Sequence, residues 1–227
     1  MAVPVLAGQA LLVKGMQAQK AGHNKLALKL LNEYIDRYPQ VAEARYYRAL
    51  ALNGLGRKDE ALEDVDKALA DNPGSIKALM LKGNLLAEMD RRPEAILIYS
   101  QVLKYDPRNA VACMKRGDCL AQAGKFDAAL VDLNRAVRLA PTDPWVFNNR
   151  GMAWFCKGDY RKAINDFTTA IRLNPNLALS YFFRGNIYRY HLKERDKAIA
   201  DFQKGCQLGN NLCCGELEKM GIKPRKP

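Results

Sequence analysis

Proline recurs every 34 positions along this chain, at Pro39, Pro73, Pro107, Pro141 and Pro175. A second register of the same period holds Gly15, Gly83, Gly117, Gly151 and Gly185, with Ala49 in the remaining slot. A third holds Ala27, Ala61, Ala95, Ala129 and Ala163 and, after a one-residue insertion near His191, Ala198. A fixed period of this length, with small residues at fixed places and a helix breaker closing each unit, is the pattern of a tandem array of helix pairs. One such pair cannot bury its apolar face alone, so neighbours stack and the core runs on from unit to unit. The expected fold is therefore an all-α solenoid of helix-turn-helix repeats.

The unit is clearest between Asp143 and Asn176, where two helical patterns flank a Gly158-Asp159 turn and Asn174-Pro175 closes the second. Six repeats follow at 8–41, 42–75, 76–109, 110–143, 144–177 and 178–212, after a lead-in at 1–7. Ser75, Asn109 and Asp143 each precede a first helix and are natural N-caps. Gly22, Gly56, Gly124 and Gly158 occupy the turn between helices, where a left-handed backbone is needed. Repeat 3 departs there with Met89-Asp90-Arg91-Arg92-Pro93, and Pro93 suits the first turn of a helix. After Leu208 the proline register gives way to Gly209-Asn210. A short helix over 211–220, poor in apolar residues, then reads as a terminal cap, followed by a basic tail at 221–227.

The chain has 36 Lys and Arg against 24 Asp and Glu, a formal charge of +12, which raises the question of acidic partners or nucleic acid. No segment is long and apolar enough to span a membrane, and the first residues lack the basic start of a signal peptide. Six cysteines, Cys113, Cys119, Cys156, Cys206, Cys213 and Cys214, show no C-x-x-C spacing. They read as reduced thiols acting as small apolar side chains in a cytoplasmic protein. Cys206 with Cys213 and Cys214 makes a poor tetrahedral metal set, so neither metal nor cofactor is expected.

These registers closely resemble the tetratricopeptide repeat family. Its pattern of a large residue, Leu-Gly and Tyr, then Ala, Phe, Ala and Pro, is met in repeat 5 by Phe147, Gly151, Trp154, Ala163, Phe167, Ala170 and Pro175. The resemblance implies a right-handed α-α superhelix with a C-terminal capping helix, whose first helices line a concave, protein-binding face. Mapped onto this chain, that face carries Tyr46, Tyr47, Met80, Asn84, Met114, Lys115, Trp145, Asn148, Asn149, Met152, Phe155, Phe182, Phe183, Asn186 and Arg189. Aromatic, Met and amide side chains together suit an adaptable peptide-binding surface. A second copy of the chain could cover the same face and make a dimer. One subclass of the family grips a C-terminal carboxylate with Lys and Asn, then Asn, then Lys and Arg in three successive repeats. Met80 with Asn84, Lys115, and Trp145 with Asn149 do not rebuild that clamp.

The residue before the glycine register is basic throughout: Lys14, Arg48, Lys82, Arg116, Arg150 and Arg184. Arg stands where the second helix offers Asp64, Asp132, Asp166 or Asp201, whereas Lys stands where it offers Leu30 or Ile98. That correlation predicts guanidinium–carboxylate pairs within each hairpin rather than a phosphate ladder. The leading functional expectation is a non-catalytic adaptor or scaffold holding a peptide or helical segment of another protein. The alternative is a binder of an acidic partner or nucleic acid through the basic surface, although the cations are spread over every repeat. No catalytic residues are assigned: His23 and His191 lie in turns, and no nucleophile–base spacing or Gly-rich phosphate loop occurs.

Overall fold

A computed structural model describes residues 3–224. Among them the chain forms thirteen α-helices and no strand. In order they are α1 (Val3–Lys20), α2 (Asn24–Arg37), α3 (Ala42–Gly54), α4 (Lys58–Asp71), α5 (Ile76–Glu88), α6 (Arg92–Tyr105), α7 (Ala110–Gln122), α8 (Phe126–Leu139), α9 (Pro144–Lys157), α10 (Tyr160–Leu173), α11 (Ala178–Asn186), α12 (Arg195–Gln207) and α13 (Asn211–Lys219). Helix α11 runs on into a π-helical turn, Ile187–Leu192. Helix α1 begins within the stretch read as a lead-in, with Pro4 in a first turn that needs no N–H from it. Residues 1 and 2 of that lead-in and 225–227 of the basic tail lie outside the described residues.

The helices pack as consecutive hairpins, in two compact units, Met1–Pro107 and Arg108–Pro227. In the first unit, α1 with α2, α3 with α4 and α5 with α6 form pairs, and α2 meets α3 as α4 meets α5. In the second, α7 with α8, α9 with α10 and α11 with α12 pair, and α13 packs on α12. The expected all-α repeat architecture is what these contacts build.

Close approach within each hairpin rests on the glycine register. A Cβ at Gly83 would stand 2.6 Å from the Tyr99 ring, at Gly117 2.8 Å from Leu133, at Gly151 2.9 Å from Phe167 and at Gly185 2.7 Å from Phe202. Each of those large residues is fully buried. Where Ala49 replaces glycine, the facing register holds Val65, the smallest of the series, in the same buried cluster. Interior packing density leaves no room for both partners to be large.

The four arginines of the basic row are paired as predicted. Arg48 donates to both oxygens of Asp64 (2.6 and 2.6 Å), Arg116 to Asp132 (2.6 and 2.7 Å), Arg150 to Asp166 (2.8 and 2.7 Å) and Arg184 to Asp201 (2.9 and 2.7 Å). All four aspartates are buried. The hydrogen bonds to Asp64 and Asp132 push the Arg48 and Arg116 guanidinium pKa values up, so both stay charged. Burial pushes the Asp201 carboxyl above its usual range, and Arg184 works against that shift. Three of these guanidiniums also reach the second helix of the preceding repeat: Arg48 donates to Asn32 (2.9 Å), Arg150 to Asn134 (2.9 Å) and Arg184 to Thr168 (2.8 Å). Lys82 does likewise, meeting Asp66 at 2.7 Å. Residues 32, 66, 134 and 168 share one repeat register, so each cation joins its own hairpin to the one before.

Two features differ from the sequence reading. At the turn of repeat 3, where glycine is missing, Asp90 takes the left-handed conformation itself (φ 63°). The cysteines are not all reduced thiols: Cys206 and Cys214 are joined in a disulfide. The Gly209-Asn210 turn folds α13 back on α12, with Asn210 capping α13 through the Cys213 amide, and this brings the two Cα atoms to 4.9 Å. A separation of eight residues across a tight helix turn carries no motif by which to recognise the bridge.

Candidate protein-binding face

The predicted face is assigned to the first helix of each repeat; α1 sits beside α3 and α3 beside α5 in the first unit, and α7 beside α9 in the second. In the first unit, Tyr46 and Tyr47 of α3 meet edge to face at 5.4 Å between centroids. They border a recess of about 210 Å³ with Ala42, Glu43, Asn72, Ser75, Lys77 and Ala78. Burial pushes the Tyr46 phenol up, with Tyr47 adding to the shift, so its hydroxyl is a neutral donor and acceptor near neutral pH. Lys20 lies over the Tyr47 ring at 5.8 Å. Met80 and Asn84 follow on α5 and are half-buried, and the Asn84 carbonyl oxygen accepts from the buried Tyr99 hydroxyl at 2.8 Å. Apolar walls with a carboxylate, an ammonium, an amide and a hydroxyl at the rim are the mixture that seats a side chain and holds its backbone.

In the second unit, Met114 and Lys115 of α7 are half-buried, and Met114 packs against the Ala129–Leu133 cluster. On α9, Trp145 is 45% exposed, Asn149 and Met152 are half-buried, and Phe155 makes the centre of an aromatic group. Phe155 meets Tyr160 at 6.0 Å, Phe183 at 6.2 Å and the His191 ring at 5.9 Å, while His191 stacks on Tyr160 at 3.9 Å. Phe183 in turn stacks on the buried Phe167 at 5.9 Å, and Phe182 turns toward Phe202 at 6.5 Å. These two phenylalanines therefore share their surface between the face and the core. Asn148 is committed inside the stack, where its carbonyl oxygen accepts from the Ser180 hydroxyl at 2.8 Å. Arg189 is ion-paired with Glu216 of α13 and lies 4.8 Å from the Tyr190 ring. The amide oxygen of Asn186 is buried with no hydrogen-bond partner among the described residues.

The sequence reading of this face does not name Glu43, Asn72, Ser75 and Lys77: Glu43 and Lys77 share the register of Trp145, Ser75 is read only as an N-cap, and Asn72 follows a second helix. His191, read as a turn residue, is exposed as expected, but it lies in the π-turn that ends α11 and its ring stacks on Tyr160. Among the described residues, no group of three or more His, Cys, Asp or Glu converges as metal ligands, and no helix is long and apolar enough to cross a membrane. Burial pushes the Cys213 thiol up to about 12, so it stays protonated and is a poor nucleophile toward the neighbouring disulfide.

Sequence profiles of the tetratricopeptide repeat match residues 12–76, 80–144 and 144–177. The chain is a tetratricopeptide-repeat protein. Among solved structures, this tetratricopeptide-repeat chain is similar to "MamA 41-end from Desulfovibrio magneticus RS-1", with a TM-score of 0.67 and 21% identity over 75% of this chain and 96% of that one. MamA MSR-1 is similar at a TM-score of 0.65 and 22% identity, covering 75% and 98%. YrrB, described as a TPR protein with an unusual peptide-binding site, has a TM-score of 0.62 and 22% identity, covering 83% and 97%. These likenesses concern the fold. No curated protein matches the sequence at a significant level.

Proposed function

We propose that this tetratricopeptide-repeat protein is a non-catalytic adaptor that holds an extended segment of another protein against its first helices. The observation that carries this reading is the Tyr46–Tyr47 recess, a concave, part-apolar pocket with polar groups at its rim on the family's ligand-facing helices. Its occupant would be an apolar side chain of the partner, with the flanking backbone bonded by Asn72, Ser75 and Lys77. The exposed Trp145 and the half-buried Met114, Met152 and Phe155 extend the same kind of surface in the second unit. A peptide-binding site is described for YrrB, which shares this fold.

Panning a random peptide library on the full chain, with titration of enriched peptides against wild type and Tyr47→Ala, tests the proposal. Enriched peptides should share an apolar anchor, bind about tenfold or more weakly to the variant, and keep their affinity in high salt. Enrichment of acidic peptides released by salt and indifferent to Tyr47 would instead make the basic surface the working face.

A further inference from the structure

The inserted residue of repeat 6 ends α11 in a π-turn and leaves Lys193 left-handed at φ 59°. π-turns within helices concentrate at functional sites, and a left-handed lysine persists only where its surroundings hold it. This segment brings Arg189 and Lys193 beside the end of α13. There Arg189, Lys193, Arg195, Lys219 and Met220 line a recess of about 300 Å³. No carboxylate among the described residues lines it. The acid that touches its cations is Glu216, which is buried and already accepts from Arg189, the Tyr190 hydroxyl and Lys219. Four cations against that one carboxylate leave a formal charge of +3 around a single recess.

Donors remain to be used. Lys193 gives one N–H to the Tyr190 carbonyl (3.0 Å), Lys219 one to Glu216 (2.7 Å) and Arg195 one to the Met220 carbonyl (3.1 Å). An ammonium has three donors and a guanidinium five, so each keeps several facing solvent. Gathered like charges raise the free energy of the empty recess, and an anion that enters relieves this.

We propose that this recess binds a phosphate monoester, a site separate from the peptide face and independent of that reading. A monoester carries about −1.5 to −2 at neutral pH and three acceptor oxygens, which suits convergent Arg and Lys donors and an excess charge of this size. A carboxylate has one charge to offer. A nucleic-acid backbone has one per phosphate and calls for an extended basic track rather than one focus.

The test is a titration of the full chain with inorganic phosphate at constant ionic strength, followed by amide NMR. Saturable shifts confined to residues 187–195 and 216–221 are expected. Affinity should fall at least tenfold in Lys193→Asn/Lys219→Gln, asparagine being chosen because it tolerates the left-handed backbone. It should be unchanged in Lys29→Gln/Lys204→Gln, which removes two exposed lysines elsewhere. A phosphoserine peptide that binds more tightly than inorganic phosphate points to a phosphorylated protein segment as the source, and the reverse order to a small phosphate. Should the double variant fail to fold, the wild-type shift map decides by itself. Shifts scattered over the chain, full affinity in the folded double variant, or tighter binding of acetate or a single-stranded oligonucleotide would each overturn the proposal.

Discussion

At Arg48, Arg150 and Arg184 one side chain bridges three helices: two hydrogen bonds close the hairpin on a buried aspartate, and a third reaches the preceding repeat. The planar fork of arginine allows this, whereas a lysine offers one point charge. Removing the guanidinium leaves a carboxylate buried and uncompensated, so Arg116→Ala should cost about 2–4 kcal/mol. Lys82 pairs with the half-exposed Asp66, and Lys82→Ala should cost about 1 kcal/mol or less. Urea unfolding of the two variants checks this, and equal losses would contradict the pairing. The Arg–Asp half of the arrangement was legible in the sequence, because the two residue types appear and disappear together along the chain. The reach to Asn32, Asn134 and Thr168 was not, because a polar residue on a second helix looks the same whether it meets water or a neighbour's guanidinium.

Among the elements, the periodic ones were legible and the exceptions were not. Helix pairs, N-caps at Ser75, Asn109 and Asp143, and glycine turns follow from local chemistry, and each of those caps accepts a backbone N–H of its helix. Asp90 shows the limit. Position along the repeat demands a left-handed residue there whatever the side chain, so the backbone conformation is set by the hairpin rather than by the residue. Asp90→Gly should relieve that strain and raise stability by about 0.5–1 kcal/mol, measured as a shift in the thermal or urea midpoint. A loss would mean that the Asp90–Arg92 ion pair outweighs the backbone term. The π-turn and the Cys206–Cys214 bridge escaped for a related reason. An insertion can be absorbed as a loop or as a wider helical turn, and a disulfide depends on how two helices fold together. Both are decided by packing. Within the candidate face, the positions were legible from the repeat, but the division of Asn148, Phe182 and Arg189 between surface and interior depends on neighbours in other repeats.

For the molecule as a whole, 36 Lys and Arg against 24 Asp and Glu leave a charge of +12 that the chain's own carboxylates cannot neutralise. Mutual repulsion among exposed cations destabilises the compact state and is screened by salt, whereas the buried Arg–Asp pairs are screened far less. The melting temperature should therefore rise between low salt and about 0.5 M sodium chloride in scanning calorimetry. A fall would show that surface ion pairs outweigh the repulsion. The cross-repeat bonds also bear on how such a chain can change over time. Lys82 finds a carboxylate at Asp66, but the same place one repeat earlier holds Asn32, which Arg48 uses. If repeats 2 and 3 exchanged places, the lysine would meet the Asn32 amide and Arg48 the hydroxyl of Ser100, which holds this register in repeat 3. Duplication and reshuffling of repeats are thus not neutral here, since each unit carries a partial address for the neighbour it must follow.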